Sequence, residues 1–334
     1  MGKLKKGWQK ALAVIGIILA CIVLLFGALL LVMTRDYSGK DPIAGDPSVN
    51  SHIVELGSTQ VSAHRSGGGI APENTMMAFK NCIESADFTI DIFEYDLHLT
   101  KDKELVLLHD ETLSRTSDST ELFGNEDAKP SDYTYEELRQ LNMGESFTAD
   151  NGKTPYKGLR GDDIPEDLRI LKLTDLLDYL TANGDFDYII EIKDGGDRGK
   201  EACDKLHSIL VEYGLLDNAI IGTFHGEISN YMTENYPDMA RSAGIKEVFG
   251  FYFNSLLNIK RADDYYSYCA LQIPDDDYVV KLGTTRLINY AHKHNIAVQF
   301  WTINDKDKVE ELINKGADAI MSDLPDMVYE VKNK

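Results

Sequence analysis

With 334 residues, 43% of them apolar and 27% charged, the chain is long enough for one large globular domain. Its composition excludes wholesale disorder, a collagen-like helix and a coiled coil. The net charge of −21 is unevenly distributed: residues 1–40 carry six bases and one acid, leaving residues 41–334 with 28 bases, 54 acids and a net charge of −26. An acidic body of this kind lacks the basic footprint that a nucleic-acid partner requires. The four cysteines (Cys21, Cys82, Cys203 and Cys269) show no CxxC spacing. They therefore point to neither a disulfide framework nor a zinc site.

In chain order, residues 1–10 form a short lysine-rich start, and Ala11–Met33 is a run of 23 residues without a charge. As a helix that run is about 34 Å long, slightly more than a bilayer core. It is longer than a signal-peptide core, and Leu30–Met33 offers no small-residue cleavage site. The expectation is an uncleaved transmembrane helix over 11–33. Lys3, Lys5, Lys6 and Lys10 precede it, which places the N-terminus in the cytoplasm and the body outside the cell membrane. Residues 34–57, rich in Asp, Pro, Gly and Ser, are expected to be a stalk before a domain over 58–334.

From Ser58 onward, short β-rich runs alternate with amphipathic helical patterns. The runs are Val61–His64, Ile92–Asp96, Tyr188–Lys193, Ala219–Phe224, Arg241–Ile245, Tyr268–Ile273, Ala297–Ile303 and Ala319–Asp323. Helical faces follow several of them, as at Ala202/Leu206/Ile209/Leu210, Leu287/Ile288/Ala291 and Val309/Leu312/Ile313. Eight strand–helix units predict an α/β fold, a (β/α)8 TIM-type barrel. Leu105–His109 follows Leu97–Thr100 after four turn-like residues, too few for a parallel crossover, so a β-hairpin is expected after strand two. It would carry His109 back toward the barrel mouth. The long polar segment 117–168 reads as an insertion beside that mouth.

Chemistry in such barrels sits at the C-terminal strand ends. His64-Arg65 ends the first strand, Glu94 and Asp96 share one face at the end of the second, and Glu191 and Lys193 do so on the next. Trp301 and Asn304 end the seventh and Asp323 the eighth. Glu94, Asp96 and Glu191 make an all-oxygen set suited to Ca²⁺ or Mg²⁺, with Mn²⁺ also compatible; a salt-bridge network with Arg65 and Lys193 is the alternative. His64 and His109 are the candidate proton-transfer pair. Trp301 and Phe300 are aromatic candidates for the mouth. His98 reads as structural, and His292 as solvated on a helix.

These residues also carry a resemblance. His64-Arg65-Ser66-Gly67 through Pro72-Glu73-Asn74-Thr75 resembles the HRG…PENT opening of the glycerophosphodiester phosphodiesterases. Glu94 to Asp102 is similar to their E-x-D-x-x-x-T-x-D block, and His109-Asp110 with Arg115-Thr116 to their HD…RT stretch. Glu191-Ile192-Lys193, Trp301 to Asn304 and Ser322-Asp323-Leu324-Pro325 complete the set in order, over about residues 58–330. Ser66 stands where the family usually has Gly, and Ser322 where it has Thr. The resemblance implies a metal-dependent phosphodiesterase releasing an alcohol and glycerol 3-phosphate. In it Glu94, Asp96 and Glu191 hold the metal, Arg65 and Lys193 clamp the phosphate, and His64 and His109 serve as acid and base in either order. Glu73 and Trp301 are expected near the substrate, with Glu73 orienting Arg65 or approaching the metal. A lysophospholipase D-like activity, cleavage of a glycerol-phosphate cell-wall polymer and a catalytically inactive binding barrel are the rival readings.

Overall fold

The computed structural model describes residues 14–28, 31, 41–262, 264–277 and 280–334. Among the described residues there are ten strands: β1 (Gln60–Ala63), β2 (Ile92–Leu99), β3 (Leu105–Leu107), β4 (Asp187–Ile192), β5 (Ala219–Gly222), β6 (Ala270–Ile273), β7 (Asp276–Asp277), β8 (Val280–Lys281), β9 (Ala297–Phe300) and β10 (Ala319–Ser322). Seven of them form a parallel sheet in the order β5-β4-β2-β1-β10-β9-β6. Parallel bridges Ile221↔Arg241 and Ser242↔Ala270 span its two edges, so the Arg241–Ile245 run closes the barrel with two residues instead of a full strand. A nearly closed TIM-type barrel is the result.

Among the described residues eight longer helices surround it: α1 (Met76–Ile83), α2 (Leu173–Asn183), α3 (Gly196–Tyr213), α4 (Gly226–Asn235), α5 (Ile245–Leu257), α6 (Thr285–His292), α7 (Lys306–Asn314) and α8 (Pro325–Lys332). The apolar faces read from the sequence are the buried ones, with Ala202, Leu206 and Leu210 on α3 and Val309 and Leu312 on α7. Gly214 ends α3 in the left-handed conformation (φ +68°) that a glycine adopts without a Cβ penalty. Outward-facing strand residues such as Tyr95, Tyr188 and Phe93 pack against Phe79 and the other helices in the main core.

The barrel interior is layered. At its base Ile53 plugs the strand starts, packed with Ile220, Ala270 and Ala297. Above it Ile92, Ile189, Ala319 and Met321 form a second apolar layer, against which Trp301 packs. Residues 41–57, expected as stalk, are therefore part of the barrel domain. Asn50 donates to the carbonyls of Cys269 (2.8 Å) and Asn295 (2.9 Å), and Ile43 N–H donates to Asn289 (2.8 Å). Asp318, fully buried, accepts from Val54 and Val298 and pairs with His292 Nε2 at 3.0 Å. His292 is thus buried, not solvated, because the segment before the barrel covers it.

The hairpin forms as expected: β3 lies antiparallel on β2, with Leu97 opposite Leu107. Leu108 N–H then bonds to the Asp96 carbonyl at 3.1 Å, which sets His109 beside the end of β2. Segment 117–168 is more than a polar cap. Its Ala128, Leu138, Leu141 and Met143 bury a small core against Val106, Leu108 and Leu113.

Residues 14–28 are helical, with Val14, Ile18, Leu24 and Leu25 exposed. The two ends of the 11–33 run, and residues 34–40, lie outside the described residues. Among the described residues no helix is long and apolar enough to cross a membrane.

Candidate active site

The parallel register builds the carboxylate cluster. Glu94 and Asp96, two apart on β2, both face into the barrel, and Asp96 is the register partner of Glu191 on β4. Each of the three offers an oxygen within 4.8 Å of the other two. Glu94 is 5% and Asp96 1% exposed. Burial, with Asp96 close by, pushes Glu94 up to about 8, and burial also raises Glu191. Asp96 stays below the ordinary range because Lys193 and His109 outweigh its burial. Asn74 Nδ2 donates to Asp96 Oδ2 at 3.0 Å, while the buried Asp96 Oδ1 accepts no hydrogen bond. The Lys193 ammonium, 3.5 Å away, faces that oxygen, and the all-oxygen donor set fits a divalent cation of the Ca²⁺ or Mg²⁺ kind.

The β1 turn supplies the next groups. Arg65, Ser66 and Gly67 are all left-handed, at φ +49°, +65° and +85°. This tight turn points the Arg65 backbone N–H at Glu94 Oε2, 2.6 Å away. Gly69 lets the loop touch the end of the last strand: its N–H bonds to the Asp323 carbonyl, and a Cβ there would lie 2.9 Å from that oxygen. Asp323 in turn holds His64, Nδ1 to Oδ1 at 2.7 Å. Against the effect of burial, Glu94 and Asp323 raise the His64 imidazole above its ordinary value. His109 goes the other way: burial lowers it, although Asp96 and its 2.7 Å partner Asp110 oppose the shift.

One charged chain links the two histidine loops. Glu73 receives Arg65 Nη1 at 3.2 Å and both Arg115 Nη atoms at 2.6 and 2.9 Å; Arg115 also grips Asp110, which holds His109. Against burial, Arg115 and His109 bring Asp110 down to about 2. Glu73 thus bridges the guanidinium groups of Arg65 and Arg115.

His64, Arg65, Glu94, Asp96, His109, Glu191 and Trp301 all line one cleft of about 360 Å³ at the barrel mouth. Lys193 is placed differently. Its Nζ lies 2.9 Å from Glu191 Oε1 and 3.5 Å from Asp96 Oδ1, and the residue lines a polar cavity of about 240 Å³ behind them. His98, paired with Asp194 at 3.0 Å, lines that second cavity. Phe300 is buried in the core. Sequence reasoning gave no role to Asp323, Asp110, Arg115 or Asn74, although each stands in a motif or at a strand end. Phe224 was missed as well; it lies between Lys193, 5.9 Å from its ring, and Trp301, 6.1 Å between centroids.

The chain is similar to known proteins in sequence and in fold. Residues 64–327 match the model of the Glycerophosphoryl diester phosphodiesterase family. A glycerophosphodiester phosphodiesterase of Bacillus altitudinis is 25% identical over 280 residues, covering 83% of this chain and 99% of the relative. One of Caldanaerobacter subterraneus subsp. tengcongensis is 27% identical over 279 residues, covering 83% and 98%. The solved structure of an Oleispira antarctica phosphodiesterase in complex with the product sn-glycerol-3-phosphate superposes with a TM-score of 0.62 at 22% identity, covering 82% of this chain and 97% of that one. The chain therefore belongs to the glycerophosphoryl diester phosphodiesterase family. It is an enzyme, a phosphoric diester hydrolase.

Ser66 gives a direct test of the turn. A non-glycine residue at φ +65° bears a steric cost, and the buried Ser66 Oγ has no hydrogen-bond partner. Ser66→Gly removes both terms and is expected to raise stability by about 1 kcal/mol in urea denaturation. A loss of stability would show that the hydroxyl holds the loop.

Proposed function

We propose that the enzyme hydrolyses a glycerophosphodiester to an alcohol and glycerol 3-phosphate, with a divalent cation held by Glu94, Asp96 and Glu191 and with His64 and His109 moving the protons. The observation that carries this reading is the convergence of the three buried carboxylates, Arg65 and both histidines on one cleft. The bound cation would supply charge neutralisation at a phosphoryl oxygen. Arg65 presents a guanidinium to the remaining phosphate oxygens, held in place by Glu73. Lys193, expected to share the phosphate with Arg65, pairs instead with Glu191 at 2.9 Å, and its role in this reading is to offset the charge of the carboxylates.

The two imidazoles are pushed apart in opposite directions, the pattern that separates an acid from a base. His109, lowered, is neutral at pH 7 and accepts the proton of the attacking oxygen. His64, raised by Glu94 and Asp323 and oriented by Asp323, is assigned the proton given to the leaving alcohol. The rate should follow a bell, its acid limb set by His109 below the ordinary imidazole value and its alkaline limb set by His64 above it. Removing the charge with Asp323→Asn lowers His64 and should move the alkaline limb alone to lower pH.

The experiment is glycerol 3-phosphate release from glycerophosphocholine, with and without EDTA. EDTA should abolish turnover and added metal restore it. His64→Ala and His109→Ala should each lower kcat by about 10²–10⁴-fold. A nitrophenyl phosphodiester, whose leaving group needs no proton, should rescue His64→Ala and not His109→Ala. Full turnover in EDTA refutes the metal, and rescue of His109→Ala instead reverses the two roles.

We further propose that residues 11–33 anchor the enzyme in the cell membrane, with residues 1–10 in the cytoplasm and the barrel outside. The uncharged 23-residue run, its preceding lysines and the exposed apolar side chains of helical residues 14–28 support this. Protease added to intact cells should remove the barrel domain; complete protection would contradict it.

A further inference from the structure

The polar cavity of about 240 Å³ that Lys193 lines shares no lining residue with the catalytic cleft. Its wall is assembled from the end of β2, the residues that follow β4, the first turn of α3 and the insertion. The charge of this wall runs against that of the body. Residues 41–334 hold 54 acids and 28 bases, yet here Lys129, Lys193 and Arg198 face two carboxylates, Glu111 and Asp194. Asp194 is already spent: Oδ1 holds His98 Nδ1 at 3.0 Å, and Oδ2 receives the Leu99 N–H at 2.7 Å. Helix α3 begins at this wall, and its N-cap Gly195 has no side chain to offer the first-turn N–H groups. The positive end of an 18-residue helix therefore adds to the cationic side chains.

His98 supplies the observation that points to an occupant. It is 4% exposed, and the Asp194 carboxylate, which only accepts, makes Nδ1 the donor of that bond. Nε2, at the other edge of the ring, is buried and has no hydrogen-bond partner among the described residues. A buried polar atom at a cavity wall needs a polar partner. The cations are engaged to different degrees. Lys193 gives its ammonium to Glu191 at 2.9 Å, and Arg198 Nη1 donates to the Leu99 carbonyl at 3.1 Å. Lys129 pairs with Glu111 at 3.1 Å, but the Lys129 side chain is 47% and that of Glu111 81% exposed. Such a pair contributes little and yields to an anion seated deeper.

We infer that this cavity binds a phosphate anion, as orthophosphate or as the phosphate group of a small monoester, at a site separate from the catalytic cleft. Lys129, Ser131, Arg198, His98 and the start of α3 come to it from different elements. That arrangement suits an oxyanion with acceptor oxygens in every direction better than a planar carboxylate. At about 30 Å³ per water-sized unit the cavity holds roughly eight such units, enough for a phosphate with a short substituent.

The test is equilibrium dialysis of the full chain against radiolabelled orthophosphate in EDTA, where no metal draws phosphate to the catalytic carboxylates. One equivalent should bind saturably. Lys129→Gln should weaken binding at least about tenfold. Glu111→Gln frees Lys129 and removes a repelling charge, so it should tighten binding up to about fivefold, which a merely loosened fold would not do. Arg65→Gln should leave binding unchanged. Competition identifies the source: displacement of the label by glycerol 3-phosphate as readily as by orthophosphate assigns the monoester, and displacement by orthophosphate alone assigns the free ion; either result supports the site. No saturable binding up to about 10 mM overturns it. So does binding that both Lys129→Gln and Glu111→Gln leave unchanged, or that Arg65→Gln abolishes.

Discussion

The mutual repulsion of Glu94, Asp96 and Glu191 is the constraint around which the mouth of this barrel is arranged. Burying one carboxylate without compensation costs several kcal/mol, and three within a few ångströms of one another multiply the problem. The chain does not avoid that cost by spacing them apart; the β2/β4 register places Asp96 opposite Glu191. It surrounds them with Lys193, Asn74 Nδ2 and the Arg65 N–H. The compensation is incomplete. Glu94 is still pushed up to about 8, and one oxygen of Asp96 accepts no hydrogen bond. A divalent cation is the group whose charge and oxygen preference complete such a site.

The loops that carry the histidines are subordinate to this cluster. The left-handed Arg65–Gly67 turn exists to aim a backbone N–H at Glu94, and it leaves His64 against Asp323 on the last strand. The β2–β3 hairpin returns His109 to the end of the strand that carries the two carboxylates. A run of alternating charges, from Arg65 through Glu73, Arg115 and Asp110 to His109, joins the two loops across the mouth. Exposed ion pairs contribute little singly, but here each carboxylate is shared between partners, which holds the two imidazoles in a common frame.

The polar part of the site was legible because its signals are local. Period-two spacing on a strand end identifies Glu94 with Asp96 and Glu191 with Lys193, and a four-residue gap forces the hairpin that returns His109. The side of the carboxylate cluster that Lys193 occupies was not legible, since spacing gives the face of a strand but not which partner an ammonium chooses. The exposed apolar residues of α5 were hidden for another reason. Ile245–Leu257 is rich in apolar residues on every side, so its sequence does not separate the buried Phe251 and Tyr252 from the exposed Phe249 and Phe253. The segment 41–57 misled for the opposite reason. Its Pro, Gly, Asp and Asn residues read as a linker, yet Asn50 and Ile43 are held by partners more than 200 residues away, and Ile53 plugs the barrel.

The central claim is that the three carboxylates form a metal site opening on the cleft. Anomalous diffraction from crystals grown with Mn²⁺ tests it most directly. The account predicts a single strong anomalous peak among Glu94, Asp96 and Glu191, within about 2.0–2.6 Å of an oxygen from each. That peak should vanish in crystals of Glu94→Gln. No peak there in active crystals, or a peak bound by other side chains, would contradict it.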